Sequence, residues 1–498
     1  MQTPLFEILG FGGGMTLSDT IGKENQFDRG YQIDFTSKPG KLTCGRAWSN
    51  PITYSSTADL PNIISSIYRS TYDNGTTFFG AEDNSIYVGG EYTTITKLHD
   101  LSGASERVND IIEYKDYLYF SQETNIARFD MVSAWTDEWQ HPLTLSSYRQ
   151  SYVSNNNLLY FTNGQYVASW DDTTFASAAL DLSDSWETNC IDDFGWKYLA
   201  VGCSLNEKGY KKSKVILWDR TSDSWNDEII IPESHIYAMI FSAGYLWIWG
   251  GNNANLYVVP EDSRRAIKMF SFTKEDETSL KVYPNSVCER DGIIYFGLSD
   301  DGALTERNSS IHPRNSTAIY SFPVDPNNFA LNVRYKNKDQ VEKFYCIEPV
   351  NVDTDSEILY TFHRYGYSET EWKNYLIREK TSKNEYPYGS GYYESFTYKA
   401  PANKRLFTES FGVDLDPLPT GCAISLSYKK EGDTTWTSLF SNFNTADATE
   451  KIVLKKFKAK FIKLRLQITG YAESPSAFVR PYVNRIWVTG HLIPRLPH

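Results

Sequence analysis

A repeated pattern of apolar and polar positions organises this chain. In residues 116–130, an apolar run at 117–120 is followed by polar residues and then by a second run at 126–129, which ends at Asp130. Short runs rich in aromatic and β-branched residues, separated by polar turns, are typical of antiparallel strands. The pattern predicts a β-hairpin here.

The first run of this hairpin recurs through the middle of the chain. One marker residue in each copy gives intervals of 40, 41, 40, 47, 48 and 65 residues. The markers are Phe78, Leu118, Leu159, Leu199, Leu246, Ile294 and Leu359. Four-stranded propeller blades repeat roughly every 40 to 50 residues. The intervals predict an all-β protein with a β-propeller of about seven blades in residues 56–380.

A second feature follows most markers, and in three copies it is an aromatic residue followed by aspartate. These pairs are Phe129-Asp130, Trp170-Asp171 and Trp218-Asp219. The aromatic ring is expected to pack between neighbouring blades, and the carboxylate to accept hydrogen bonds from the backbone of the next turn. Both roles are structural rather than catalytic.

The length of the chain predicts more than one domain. At 498 residues it exceeds the roughly 250 to 300 residues at which a single core stops growing. Residues 1–55 are predicted to form an N-terminal arm and first strands, and residues 381–395, rich in Pro, Gly and Tyr, a linker. Short alternating strands in residues 396–498 predict a C-terminal β-sandwich. A strand at 31–35, or the segment near Leu42, is expected to complete the last blade.

Composition narrows the class of protein. The formal net charge of -13 argues against a protein whose main task is to grip nucleic-acid phosphates. Without a long apolar run or an apolar signal core, the chain is expected to be soluble, with no membrane insertion. Its 6 cysteines are scattered and never form CxxC, so free buried thiols are expected rather than a zinc site or disulfides.

The sequence offers no catalytic motif. Its histidines are isolated, and neither a GxSxG elbow nor a phosphate-binding loop occurs, so no catalytic, metal-binding or cofactor-binding residue is predicted. A glycosidase would need two facing carboxylates. The acidic segments that could supply them are interpreted as solvated turns: Asp192-Asp193, Asp300-Asp301 and Glu369-Thr370-Glu371. The protein is therefore not expected to be an enzyme.

Two C-terminal segments also admit a functional interpretation. The segment beginning at Glu431-Gly432-Asp433 is similar to a sialidase turn repeat, but is interpreted as a hairpin turn beside Trp436. The basic residues 451–465 could face nucleic acid or an acidic partner. The alternation of their apolar residues instead favours strands with a bulge or turn near Phe461 and with solvated lysines.

A glycine run near the N-terminus is the candidate for assembly contacts. It consists of Phe11, Gly12, Gly13, Gly14 and Met15. Glycines permit many backbone conformations, so this segment is predicted to be a flexible arm. The arm contacts a neighbouring subunit in one interpretation and packs on its own domain in the other.

The N-terminal sequence resembles the opening of propeller proteins found in tailed-bacteriophage virions. The resemblance lies in Gly12-Gly13-Gly14-Met15, Asn25-Gln26-Phe27, Ile33-Asp34-Phe35 and Lys38-Pro39-Gly40. The degenerate blades and residues 428–436, which look like a hairpin of phage tail proteins, extend it loosely over nearly the whole chain.

The resemblance implies a structural component of a tailed-phage virion, made in the host cytoplasm and residing in the tail. A hub, a nozzle or an adaptor-associated protein is implied, mediating assembly and DNA passage. The expected partners are other tail proteins and further copies of this chain in a homo-oligomer, with passing contact with DNA but no specific binding. One alternative is a glycan- or receptor-binding propeller at the tail tip; a less favoured one is a propeller glycosidase.

Overall fold

The computed structural model of the chain describes most of its residues. They are residues 4–9, 29–31, 33–34, 41–44, 48–49, 63–70, 76–89, 95–102, 106–146, 148–205, 212–272, 280–300, 317–335, 341–352, 355–365, 372–380, 391–474 and 477–494. This part is all-β, as predicted, with many four-stranded antiparallel sheets and a short 3-10 helix at Pro326–Asn328. Within it, no helix has the length and apolar character needed to cross a membrane.

The chain divides into two compact units. The ring unit comprises Ser49–Ile319 and Asn337–Arg378. The terminal unit comprises Met1–Trp48, Tyr320–Lys336 and Glu379–His498.

The first five sheets of the ring unit are four-stranded meanders, in which strands neighbouring in sequence pair with each other. Sheet 1 contains Ile64–Arg69, Thr77–Ala81, Ser85–Gly89 and Thr96–Asp100, and sheet 2 contains Asp110–Tyr114, Tyr117–Ser121, Ile126–Phe129 and Trp135–Gln140. Sheet 3 contains Ser151–Val153, Leu159–Asn163, Tyr166–Trp170 and Phe175–Asp181, and sheet 4 contains Trp186–Phe194, Tyr198–Leu205, Ser213–Trp218 and Asp227–Ile231. Sheet 5 contains Ile236–Ser242, Tyr245–Gly250, Asn255–Pro260 and Ile267–Phe270. The sequence markers lie in the second strand of each sheet. The hairpin predicted at residues 116–130 is confirmed by the pairing of Leu118 with Phe129.

Two further sheets follow. Sheet 6 has five strands: Leu280–Lys281, Val287–Arg290, Ile293–Asp300, Ala318–Pro323 and Asn332–Tyr335. The chain leaves the ring unit within the strand Ala318–Pro323. Sheet 7 contains Val341–Val352, Asp355–Tyr365, Trp372–Lys380 and the N-terminal strand Trp48–Ser49. An N-terminal strand therefore does join the last sheet, but it is not one of the two segments expected to do so.

Those two segments belong to the terminal unit. Tyr31 pairs with Tyr392, and Leu42 forms a β-bridge with Val483. The expectation that either completes a blade is wrong, because alternation along a strand identifies its buried face but not its partner.

The seven sheets form a closed ring. Contacts join each sheet to the next. Ser65 Oγ donates to Val108 O at 2.7 Å, Asp110 accepts from Ser151 N at 2.7 Å, and Gln150 accepts from Ile191 N at 2.8 Å. Asp192 accepts from Phe241 N at 2.8 Å, the Trp249 and Phe296 rings lie 5.2 Å apart, and Ile347 N donates to Asn285 O at 2.8 Å. The ring closes where Cys346 of sheet 7 shares a buried cluster with Ile64, Ile67 and Phe79 of sheet 1.

The aromatic residues of the three aromatic–Asp pairs pack between successive sheets, which confirms their predicted role. Each contacts an aromatic residue of the preceding sheet: Phe129 lies 6.4 Å from Phe78, the Trp170 indole donates to the Tyr119 hydroxyl at 3.0 Å, and Trp218 lies 6.0 Å from Tyr160. All six cysteines are buried and free, as expected.

The terminal unit contains two larger sheets. One has the order Pro4–Leu9, Val483–Pro494, Lys404–Leu415 and Glu450–Ala459; the other has the order Arg29–Tyr31, Gly391–Glu394, Phe461–Thr469, Ala423–Lys430 and Thr437–Phe443, with Tyr398–Lys399 also paired to Phe461–Thr469. Two smaller sheets pair Ile33–Asp34 with Thr43–Cys44 and Tyr471–Ser474 with Ala477–Val479. The two larger sheets contact each other through Phe411 and Tyr428, whose rings lie 5.9 Å apart. Gly391–Glu394, inside the segment predicted to be a linker, is a strand.

Candidate functional site

A depression in the ring unit brings together residues that are far apart in the sequence. It lies on the segments that precede the first strands of sheets 2 and 3, on the segment between Lys281 and Val287, and on the first strands of sheets 1 and 7. The space inside the depression that a water molecule can occupy has a volume of only about 10 Å³. This is room for about one water molecule and far below the volume of a small-molecule site.

Arg149 provides a positive charge in the wall of the depression. Its side chain is buried, with 1% of the residue exposed. The guanidinium donates to the carbonyl oxygens of Gln122, Glu123, Thr144 and Thr162 and to the side-chain oxygen of Asn163, at 2.6 to 3.1 Å. All five acceptors are uncharged, and Arg149 has no ion pair among the described residues. Burial lowers its pKa to about 10, so it remains charged at neutral pH.

Three tyrosines line the depression beside two further cations. The Tyr283 ring lies 5.5 Å from Tyr148 and 4.8 Å from Tyr345. The Arg107 guanidinium lies 5.6 Å from the centre of the Tyr148 ring and forms an ion pair with Glu82. Lys281 donates to the Tyr148 hydroxyl at 3.3 Å. Such contacts between cations and aromatic faces fix the positions of the rings.

Asn109 is the least satisfied polar side chain in this site. Its backbone oxygen accepts a hydrogen bond from the Asn285 amide, but neither atom of its own side-chain amide has a partner among the described residues. Only 6% of the residue is exposed. The Arg107 Nε is also buried and lacks a partner in this part of the chain. Unpaired buried polar groups are rare in folded proteins and call for an explanation.

Carboxyl groups of the first strands connect neighbouring sheets. Asp110 accepts from the Ser151 backbone, and Asp192 accepts from the Phe241 backbone. Burial raises the pKa of each to about 7, and burial together with the nearby Asp110 charge raises the pKa of Glu348 to about 8.

Several acidic segments lie elsewhere than expected. The interpretation of Asp192 and Asp193 as a solvated turn is wrong: both lie in the strand Trp186–Phe194, and Asp193 forms an ion pair with Arg220 at 3.2 Å. Asp300 is likewise buried in the strand Ile293–Asp300 rather than in a turn. Asp192 and Asp193 accept hydrogen bonds from neighbouring sheets, from Phe241 N and from Ser154 Oγ and Asn155 N, respectively. Nothing in the local sequence indicates such bonds. Asp301 and residues 369–371 lie outside the described residues.

The aspartates of the three aromatic–Asp pairs stabilise turns, as predicted. Asp130 accepts from the backbone of Val132, Ser133 and Ala134 at 2.8 to 2.9 Å. Asp171 accepts in the same way from Thr173 and Thr174, and Asp219 from Thr221 and Ser222. For Asp171 the hydrogen bond from the Thr173 hydroxyl has the largest effect on the pKa, followed by those from the backbone. In Asp130 and Asp219 the backbone hydrogen bonds lower the pKa most, and all three carboxyls remain charged acceptors.

The remaining sequence candidates divide into two groups. Phe11, Gly12, Gly13, Gly14 and Met15 lie outside the described residues, so their role as assembly contacts stays a prediction. Gly432 has a φ of +85° in a tight hairpin, which confirms the predicted hairpin turn. The basic strand Glu450–Ala459 ends just before Phe461, and most of its lysines are exposed, which confirms the predicted strand with solvated lysines. In the described part of the chain, no group of three or more His, Cys, Asp or Glu could hold a metal ion.

Sequence reasoning missed the depression itself. Its residues lie before first strands, which are less apolar than the marker strands; they are Arg107, Asn109, Tyr148 and Arg149. Tyr283 lies much further along the chain. The sequence signal available was an arginine shortly before each of two strands, and this signal is weak.

No family model and no curated protein matches the chain. The solved structures that are similar to the chain include the following three. The extracellular domain of the putative one-component system BT4673 from B. thetaiotaomicron has a TM-score of 0.43 and 12% identity, covering 95% of this chain and 62% of that one. The computationally designed Ika8 protein has a TM-score of 0.40 and 12% identity, covering 65% and 89%. The WD40 β-propeller domain of Doa1 has a TM-score of 0.38 and 13% identity, covering 52% and 86%.

Proposed function

We propose that the protein is a non-enzymatic structural component of a tailed-phage virion. In this proposal, the ring unit is a seven-bladed β-propeller, and the larger sheets of the terminal unit form a β-sandwich. The protein presents rigid surfaces to copies of itself and to neighbouring tail proteins. Its place in the tail, as a hub, nozzle or adaptor-associated protein, rests on the sequence resemblance.

The observation that carries a structural role is the set of hydrogen bonds between sheets. Asp110, Gln150 and Asp192 each use a side-chain oxygen to bind the backbone of the next sheet. A catalytic acid or base needs a side chain that is available to substrate. Here the carboxyls of Asp110 and Asp192 are used to join the sheets, which favours a rigid structural protein over an enzyme.

Charge supports the passage of DNA without tight binding. The formal net charge of -13 gives the chain little attraction for phosphates over its surface as a whole. A propeller surrounding or lying beside a duct would therefore let DNA slide past.

The test is the composition of purified virions of the phage that encodes the chain. Mass spectrometry of gradient-purified particles is expected to find its peptides in several copies per particle, and an antibody against it is expected to label the tail in electron micrographs. A host cytoplasmic protein of similar abundance serves as the control for carry-over. If the chain is no more enriched in particles than this control, the proposal is overturned.

A second candidate function is glycan or receptor binding at the tail tip. The depression with Tyr148, Tyr283 and Tyr345 favours it, because tyrosines combine apolar faces with hydrogen-bonding hydroxyls. A glycan array distinguishes the two: a structural component gives no selective signal, whereas a receptor-binding protein gives a signal that Tyr148→Ala removes.

A further inference from the structure

We propose that the edge strand Glu450–Ala459 of the terminal unit is a docking site for an acidic, extended segment of another protein, which pairs with it as an additional β-strand. The inference goes beyond the proposed function, because it states the chemistry of one partner and rests on the terminal unit alone. Its test uses the purified chain and is independent of the composition of virions.

The strand Glu450–Ala459 lies at the end of its sheet. It pairs with Lys404–Leu415 on one side, and in the described part of the chain no strand pairs with its other edge. The strand Thr437–Phe443 of the other large sheet lies nearby, where the Lys451 ammonium is 4.8 Å from the centre of the Phe443 ring, but these two strands do not pair. An unpaired edge offers backbone groups to which an extended segment can add.

The register of the pairing shows which backbone groups this edge offers. Leu415 N donates to Thr449 O at 2.8 Å, and hydrogen-bonded and non-hydrogen-bonded pairs alternate along an antiparallel ladder. The alternation puts Ile452 and Leu454 in non-hydrogen-bonded pairs with Lys404–Leu415. The N–H and C=O groups of these two residues therefore point toward the unpaired edge, where a further strand can bind them.

The same two residues expose apolar side chains. Ile452 is 47% exposed and Leu454 is 79% exposed. Alternate residues of a strand point to the same face of the sheet, so the two side chains form an apolar stripe along the edge strand. An added strand can place its own alternate apolar residues beside this stripe, and such cross-strand pairs stabilise a sheet. The partner segment is therefore expected to be apolar at every second position.

Charge selects an acidic partner. Residues 450–460 contain five lysines and one glutamate, in a chain whose formal net charge is -13. Lys455, Lys456 and Lys458 are exposed, and none of the three has an ion pair among the described residues. Carboxylates of an added strand would lie close to these lysines. A second copy of this strand would instead bring lysines together, and like charges facing each other destabilise a sheet.

A bulge limits the length of the site. Thr408 Oγ1 donates to Lys455 O at 2.9 Å and accepts from Phe457 N at 3.2 Å, at the point where the register of the ladder shifts. Bulges and lysines on edge strands oppose indiscriminate pairing. The regular part of the edge therefore ends at Leu454, and the lysines beyond it restrict pairing to segments that carry negative charge.

The experiment is titration of the full-length chain into dye-labelled probes at neutral pH, followed by fluorescence anisotropy. The main probe is an end-blocked peptide in which valine and glutamate alternate. The comparison probes are a peptide of the same composition with its valines and glutamates in separate blocks, a peptide in which valine and lysine alternate, and a single-stranded DNA oligonucleotide of the same charge as the main probe. The alternating acidic peptide is expected to bind at least about 10-fold more tightly than each of the other three. Hydrogen exchange of the complex, followed by mass spectrometry, is expected to slow in the segment that contains Ile452 and Leu454.

Variants connect binding to this edge. Leu454→Ser is expected to weaken binding of the acidic peptide about 10-fold without lowering the Tm, because most of the side chain is exposed. The double variant Lys456→Glu and Lys458→Glu is expected to lose affinity for the acidic peptide and to gain affinity for the alternating valine–lysine peptide. This gain provides a second test if Leu454→Ser fails to fold. Ile230→Ser is the matched control, since Ile230 is 62% exposed in the last strand of sheet 4, and it should bind as the wild type does.

Four results would overturn the proposal. One is that the alternating acidic peptide does not bind the wild-type chain. Another is that the oligonucleotide or the block peptide binds as tightly as the alternating peptide, which would show a basic patch without strand pairing. The third is that Leu454→Ser and the double lysine variant both bind as the wild type does. The last is that the chain alone forms a dimer in sedimentation velocity with this segment already protected from exchange, which would assign the edge to a second copy.

Discussion

The indole nitrogen of Trp170 donates a hydrogen bond to the hydroxyl of Tyr119 at 3.0 Å, and this bond joins the third strand of sheet 3 to the second strand of sheet 2. Trp218 and Tyr160 occupy the same two positions one sheet further along, but there the rings meet edge to face and the indole donates to Ser222 O instead. The repeat therefore conserves the aromatic contact between sheets, while the hydrogen bond differs from copy to copy.

Replacing Tyr119 by phenylalanine tests this contact. In Tyr119→Phe the ring stays, but the indole N–H of the buried Trp170 loses its acceptor, which costs about 1 to 3 kcal/mol. The free energy of unfolding, from urea denaturation, is expected to fall by this amount. Tyr160→Phe is the matched control: its hydroxyl accepts from the exposed Asn156, whose amide can bind water instead. Equal losses in the two variants would contradict the assigned role of Tyr119.

Arg149 is expected to be essential for folding of the ring unit. Arg149→Met leaves four carbonyl groups without this donor, two of them, those of Gln122 and Thr162, in buried hydrogen bonds, so the free energy of unfolding should fall by about 3 kcal/mol or more. Arg264→Met is the control, since Arg264 pairs with Asp227 near the surface at 2.5 Å and such pairs contribute at most about 1 kcal/mol. Similar denaturation midpoints for Arg149→Met and the wild type would show that these carbonyls find other donors.

The repeat could be read from the sequence because its signal is local. Leu118 and Leu159 stand in short apolar runs, and each run is the second strand of a sheet. Closure of the ring could not be read, because it depends on Cys346 meeting Ile64, residues separated by almost the whole ring unit. Asp192 looked like part of a turn for the same reason: its acceptor role depends on Phe241, which belongs to the next sheet.

The candidate site was missed for a related reason. Asn109 and Arg149 are ordinary residues in their own segments, and nothing nearby in the sequence states whether their polar atoms find partners. The side-chain amide of Asn109 lacks hydrogen-bond partners among the described residues, whereas the Arg149 guanidinium binds five uncharged acceptors. Both are properties of the folded ring. They emerge only when segments from several sheets come together.

The turn after Trp218 should depend on Asp219. The pKa of this carboxyl lies below its usual range because the backbone N–H groups of Ser222 and Thr221 donate to it. In Asp219→Ala, hydrogen exchange at these two amides is expected to become several-fold faster at pH 7. Because the folded pKa is depressed, the protection is present above the unfolded pKa and is lost as the pH falls through the folded value.

Asp223→Ala is the control for this turn, because Asp223 is exposed in the same loop. Its amide exchange should match the wild type at every pH. If Asp219→Ala and Asp223→Ala exchange alike, the turn is held by something other than the Asp219 carboxylate.

Asp110 should make the stability of the ring unit depend on pH. Burial raises its pKa from 3.8 to about 7, while hydrogen bonds from the Ser151 and Ile111 backbones act in the opposite direction. Between these two pH values the folded state binds its proton more tightly than the unfolded state. The contribution of Asp110 to the free energy of unfolding therefore falls as the pH rises from about 4 to about 7, by at most roughly 1.4 kcal/mol per pH unit.

Asp110→Asn isolates this contribution. Asparagine keeps an oxygen that can accept from Ser151 N, which Asp110 binds at 2.7 Å, but it carries no charge at any pH. The free energy of unfolding, measured by urea denaturation from pH 4 to pH 7, is expected to fall less steeply in the variant than in the wild type. Part of the slope should remain, because the pKa of Glu348 is also raised, to about 8. Asp223→Asn, at an exposed position, should leave the slope unchanged; if Asp110→Asn does the same, the Asp110 carboxyl titrates alike in the folded and unfolded chains.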